Sequence, residues 1–159
     1  MVITASQPFA GSASAQRQFI DTHVFVCLFD PHSPLRQAKA RALVKQCLMS
    51  GSGVTSHQVV QEFAHVALNK MTKPMSEAEC DQVISELLLP MLRVNFSIEL
   101  VRNALALRKE TGYPWYDSLI VAAAAEARCD VLYTEDLQHG QWVRSVLIQD
   151  PFLHCVDKV

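Results

Sequence analysis

The chain lacks any apolar run near the roughly 18 residues needed to span a bilayer. With half of its residues hydrophobic, it reads as a globular protein rather than a membrane one. It also lacks a CxxC pair. The five cysteines, at positions 27, 47, 80, 129 and 155, are odd in number, which argues against a disulfide framework and for reduced, mostly buried thiols in a cytoplasmic protein. There is no basic excess, the net charge being -2. That balance speaks neither for nor against nucleic acid, because binding phosphate needs only a local basic patch or bound cations. The first 17 residues, MVITASQPFAGSASAQR, lack a basic start and a long apolar stretch. A signal peptide is therefore not expected, and residues 1–17 read as a flexible tail before a single domain over 18–159. No internal repeat, low-complexity tract or linker divides that domain. Its length of 159 residues is enough to bury roughly two-thirds of the surface exposed by the unfolded chain.

The chain alternates short apolar runs with helical patterns. FIDTHVFVCLFD, residues 19–30, reads as a buried strand with Asp21 inside it. Ser33 and Pro34 open, and Gly51 closes, a helix. GVTS is a short strand, and HQVVQEFAHVALNK carries apolar residues at 59, 60, 63, 66 and 67, the stripe of an amphipathic helix. Ser76 and Glu79 have the spacing of a capping box, with Pro90 as the stop. MLRVNF is a candidate third strand, SIELVRNALALRKETG a helix ending at Gly112, and DSLIVAAAAEARC a helix apolar nearly all round. VLYT and FLHCV supply a fourth and a fifth strand. The alternation predicts an α/β fold with a mainly parallel sheet covered on both faces.

Sites in such sheets gather where strands end and helices begin, and the acids fall there. Asp21 ends the first strand core, Asp117 opens the apolar helix, and Asp136 follows VLYT beside Glu135. Glu62 flanks the apolar stripe of its helix, with Val59, Phe63 and Val66 as neighbours. Each has a structural alternative: Asp117 as an N-cap, Asp21 as a backbone acceptor, Asp136 as a turn former, Glu62 as a solvated flank. Together they imply more, because like charges converging on one sheet edge repel unless a cation or proton compensates them. Hard cations such as Mg2+ and Mn2+ favour oxygen donors, so the set points to metal-assisted phosphate chemistry. Thr134 is a candidate hydroxyl beside it, with β propensity as its alternative.

At these residues the chain resembles a PIN-domain ribonuclease of the VapC toxin type. The matching pieces are FIDTHVFV around Asp21, SHQVVQEF around Glu62, YPWYDSLIVAAA around Asp117 and LYTEDLQHGQ around Asp136, in the family's order. The resemblance implies a three-layer α/β/α fold with about five strands, a pocket of acids holding Mg2+ or Mn2+, and endonucleolytic cleavage of RNA. It implies that Asp21, Asp117 and Asp136 hold the cation, that Glu62 holds or orients the attacking water, and that Glu135 is a neighbour outside the motif. His23 stands where the family has Asn, next but one to the first acid. Arg36, Lys39, Arg41 and Lys45, with Lys70 and Lys73, are candidate contacts to RNA phosphates or else a solvated face. The family implies an antitoxin partner and a homodimer.

Other classes fit less well. A haloacid-dehalogenase-type phosphotransferase has a second Asp where this chain has His23. Glu62 and His65 give a single Glu-x-x-His, and a di-iron bundle needs two. The scattered His and Cys have no zinc spacing, and no Ser, Cys or His nucleophile constellation stands out. A PIN-like module that binds RNA or protein without cutting remains the alternative.

Overall fold

The computed structural model describes residues 16–155. Most of the expected flexible tail, residues 1–15, lies outside the described residues. Its end at Arg17 is pinned: the backbone N–H donates to Asp130 Oδ2 at 2.9 Å and Nη1 donates to the Ala127 carbonyl at 2.8 Å.

β1 (Gln18–Ile20) leads into a short helix α1 (Thr22–Cys27), and α2 (Pro34–Ser50) is followed by β2 (Gly53–Ser56) and α3 (His57–Asn69). α4 (Glu77–Val83) continues through a wider turn at Ile84–Leu88 and a tighter one at Leu89–Met91 into β3 (Leu92–Val94). α5 (Ile98–Thr111), α6 (Trp115–Glu126), β4 (Val131–Tyr133), β5 (Trp142–Val143) and β6 (Val146–Gln149) complete the order. Local chemistry sets many of these bounds. Gly51 and Gly112 end α2 and α5 in the left-handed conformation, which a residue without Cβ adopts freely. Ser56 and Ser97 hydroxyls accept the N–H groups of Val59 and Leu100 at the starts of α3 and α5. Ser76 and Glu79 form the expected capping box.

Among the described residues the sheet has six strands in the order β3-β2-β1-β4-β6-β5. The first five are parallel, and β5 is antiparallel to β6. With helices flanking the sheet, this is the expected mainly parallel α/β/α fold. The core is continuous: Phe19 and Ile20 of β1, Leu132 of β4 and Ile148 of β6 are fully buried, as are Phe63 of α3 and Val121 and Ala124 of α6. Cys27, Cys47, Cys80 and Cys129 are buried free thiols, as the odd cysteine count suggested.

Two expectations need correction, and one structural alternative falls away. The apolar run 19–30 is not one strand: β1 stops at Ile20, and THVFVC is helical because Asp21 turns the chain and caps α1. Short apolar runs carry too few residues to separate the two periods. FLHCV is not the fifth strand, since residues 151–154 are turns. Pro151, which has no N–H to donate, precedes it, and the ladder beside β4 is built by Val146–Gln149 instead. Asp117 does not cap α6. The cap residue is Pro114 and Asp117 lies in the first turn, which frees its carboxylate from capping duty.

Candidate active site

β1 lies between β2 and β4, so whatever follows these three strands is brought side by side. Ile20 is in register with Tyr133, and the Asp21 N–H donates to the Tyr133 carbonyl at 3.1 Å. Asp21 and Thr134 therefore leave the sheet together. The Asp21 carboxylate accepts the Thr22 N–H at 2.7 Å and a hydrogen bond from the Thr134 hydroxyl. The same hydroxyl accepts the Asp136 N–H at 3.2 Å, so one threonine links two acids. On the other flank β2 runs straight into α3, which places Glu62 over the start of α1. Thr22 Oγ1 donates to Glu62 Oε2 at 2.8 Å, and Gln58 Nε2 to Oε1 at 2.7 Å. Gln58 also donates to the Tyr116 carbonyl at 3.4 Å, tying α3 to the turn of α6 that carries Asp117.

Electrostatics shows how close these acids are. Asp21 is 6% exposed. Burial pushes its pKa up from 3.8 to about 7, the charges of Asp136 and Glu62 push the same way, and the Thr134 and Thr22 hydrogen bonds resist. Asp117 is also raised, by burial first and then by Asp136 and Glu62. A carboxylate that shares a low-dielectric site with other carboxylates keeps a proton or acquires a cation. Asp21, Thr22, Glu62 and Asp136 line a cleft of about 610 Å³, together with His65 and Lys70.

The donors on the cleft wall are mainly oxygens, the carboxylates of Asp21, Glu62 and Asp136 and the Thr22 hydroxyl, with His23 and His65 also present and no thiolate, a set that can serve a hard divalent ion. Among the described residues no group of three or more His, Cys, Asp or Glu side chains is arranged to hold a metal ion. Mg2+ keeps several waters and takes only one or two carboxylates directly, so the carboxylates of this cleft could serve it without enclosing it.

The expected residues divide clearly. Asp21, Glu62, Asp117 and Asp136 interact, and Thr134 joins them. His23 is exposed on the cleft wall, with Nε2 2.5 Å from Glu135 Oε1. Arg36 turns inward, with Nη2 2.5 Å from Glu135 Oε2. Lys39, Arg41 and Lys45 are exposed on α2, and none of them lines the acid cleft; Lys70 does, and Lys73 lines the adjoining groove. Thr22 and Gln58 were not anticipated. Gln58 had a legible signal, standing four residues before Glu62 on the same helix face. Thr22 had only its place beside Asp21.

Residues 19–141 match the PIN domain, and the chain belongs to that family. No curated protein matches it by sequence. Among solved structures it is similar to a toxin–antitoxin complex from Klebsiella pneumoniae, with 20% identity and a TM-score of 0.56 over 84% of this chain and 97% of that one. It is also similar to VapBC2 from Rickettsia felis bound to a fragment of its promoter DNA, with 16% identity and a TM-score of 0.57 over 83% and 96%. A third is VapC20 of Mycobacterium tuberculosis, a toxin that cleaves the sarcin-ricin loop, with 19% identity and a TM-score of 0.53 over 75% and 89%.

Proposed function

We propose that this protein is a metal-dependent endoribonuclease acting as the toxin of a toxin–antitoxin pair. The observation that carries the nuclease reading is Asp21: a carboxylate almost wholly buried, with Asp136 and Glu62 adding to the charge it must bear. A structural acid in that place would be matched by a cation. Here the partners are two threonine hydrogen bonds and further acids. Asp21, Asp117 and Asp136 would hold Mg2+ or Mn2+, directly or through water. When bound, the ion supplies positive charge opposite the phosphate oxygens and a water of lowered pKa.

The chain's own residues supply the geometry. Thr22 and Gln58 each donate to one Glu62 oxygen, which fixes the carboxylate plane so that its remaining lone pairs can orient a water. That water attacks phosphorus in line, the bond to O3′ breaks, and the proton passes to O3′, leaving a 5′-phosphate and a 3′-hydroxyl. Thr134 holds Asp21 and Asp136 at a fixed spacing through the reaction. Lys70 on the cleft wall is the nearest candidate for contact with a flanking phosphate.

Two surfaces support the partners. A groove of about 590 Å³ shares His23, Val26, Val66 and Lys70 with the acid cleft and continues between Phe29, Met71 and Met75. Its apolar walls suit an amphipathic antitoxin segment whose end reaches the acids. Phe96, Ile98, Leu105 and Tyr116 are exposed around α5 and the start of α6, a face suited to a second copy of the chain.

The test is cleavage of mixed RNAs by purified protein in Mn2+ and in EDTA. Cutting in Mn2+ that EDTA abolishes is expected, and equal cutting in EDTA refutes the mechanism. The second reading, a PIN domain that binds RNA or protein without cutting, draws on the His23–Glu135 contact at the cleft wall. It predicts RNA binding with no cleavage in either condition.

A further inference from the structure

Glu135 stands between Thr134 and Asp136, and its carboxylate is gripped from two helices. His23 of α1 meets Oε1 and Arg36 of α2 meets Oε2. Arg36 is itself fixed in place. Its guanidinium carbon sits 4.5 Å from the centre of the Phe152 ring, and Nη2 is also 3.8 Å from Cys27 Sγ. Phe152 is buried, so the stack has a rigid floor. Residues 135–137 form a bend outside helix and strand. The direction of Asp136 therefore depends on side-chain ties: the Thr134 hydroxyl, the grip on Glu135 and the packing of Leu137 against the core.

We propose that Arg36 and Glu135 are positioning residues of the acid cleft: the grip on Glu135 holds the bend from Thr134 to Asp136 so that Asp136 faces Asp21 across the cation site. The inference rests on the nuclease reading and extends it to residues outside the four acids. It also reassigns Arg36, whose one partly shielded guanidinium is committed to Glu135 and Phe152 rather than to phosphate. Without Arg36, Glu135 keeps only its His23 contact and loses its guanidinium partner, next to an already acidic cleft. It would then swing toward solvent or compete for the cation, and either movement carries Asp136 with it. Outer partners that orient metal-binding carboxylates act in this way, and losing one typically weakens metal binding about tenfold or more.

The experiment compares parent, Arg36→Gln, Glu135→Gln and the double variant. It reads Mn2+ affinity in RNA-free protein from the electron paramagnetic resonance signal of free Mn2+, and kcat and KM for RNA cleavage. Each single variant is expected to bind Mn2+ about tenfold more weakly, with kcat lowered and KM little changed. The double variant, in which two amides can bond to each other with no charge left unpaired, is expected to recover most of the affinity. Glu135→Gln keeps the size and shape of the side chain, so it carries the test if Arg36→Gln does not fold. A phosphate-contacting Arg36 gives the opposite split: raised KM, weaker salt dependence and parental Mn2+ affinity. That result, or single losses that simply multiply in the double variant, overturns the inference. If the parent binds Mn2+ and cleaves RNA while both singles match it, this inference alone falls. If the parent neither binds Mn2+ nor cleaves, the nuclease reading falls and takes this one with it.

Discussion

Replacing Asp21 with Asn removes a charge while keeping the shape of the site, because Asn caps a helix as well as Asp does. In the metal-free protein the Asp21 pKa is raised from 3.8 to about 7, so between those values the folded state binds a proton that the unfolded chain releases. Stability tied to this group is therefore fully present below about pH 4 and is lost as the pH rises through 7. The full displacement is worth on the order of 4 kcal/mol against the folded protein at pH 8, and on the order of 1 to 2 kcal/mol at pH 5. The amide's extra N–H donors, buried beside Thr134, take back about 1 kcal/mol at either pH. Asp21→Asn is thus expected to stabilise the metal-free protein by about 3 kcal/mol at pH 8 and by less than about 1 kcal/mol at pH 5. Urea unfolding in EDTA at the two pH values measures both gaps, with unchanged slopes confirming a two-state comparison. A variant less stable than the parent at pH 8, or a gap that does not grow with pH, refutes a repelling acid cluster and makes Asp21 a structural acceptor. Millimolar Mn2+ should then reverse the order, since it stabilises only the chain that binds it.

Further outcomes follow from the same geometry. Mn2+ competes with the Asp21 proton, so its affinity should be level above pH 7 and fall by about tenfold per pH unit below it; a flat profile by calorimetry from pH 5 to 8 would remove Asp21 from the ligands. Asp136→Asn should abolish cleavage without lowering the melting temperature in EDTA, because it relieves repulsion on Asp21 and Asp117; a variant that melts lower yet responds fully to Mn2+ would count against its role. His23→Asn should preserve or raise cleavage near neutral pH, since Arg36 still holds Glu135; a loss beyond about tenfold, on the order of 1.4 kcal/mol in the barrier, would show that this chain needs its histidine. At Gly53 an added Cβ would lie 2.3 Å from Met91 Sδ and 3.0 Å from Cys47 Cβ. Gly53→Ala should therefore cost about 1–3 kcal/mol by overpacking, and an equal or higher melting temperature would mean that Met91 simply moves aside.

Local chemistry was written in the sequence wherever a few adjacent residues decide the outcome. Ser33 with Pro34, Ser76 with Glu79, and Gly51 and Gly112 each settle a helix end through a cap, a fixed φ or a free one, and the folded chain keeps all of them. The four acids were legible for a related reason. A carboxylate at a strand end or on the edge of an apolar stripe is costly, and four such places in one α/β pattern ask for a common explanation.

What the sequence left open depends on partners far along the chain. THVFVC is apolar enough for strand or helix, and the choice fell to the helix once Asp21 turned and capped it. The ladder beside β4 went to VLIQ rather than FLHCV because VLIQ aligns in register with Val131–Tyr133 and the chain then turns at residues 151–154. The fate of the basic residues on α2 was equally hidden. Arg36 looked like its exposed neighbours, yet a glutamate 99 positions away and the buried ring of Phe152 draw it inward. Composition and spacing determined that the acids exist and lie near element ends or, for Glu62, beside the apolar stripe of a helix. The register of β1 between β2 and β4 brought Asp21, Glu62 and Asp136 to one edge, because hydrogen-bonded alignment of three distant segments sets which loop stands beside which, and the packing of α6 added Asp117.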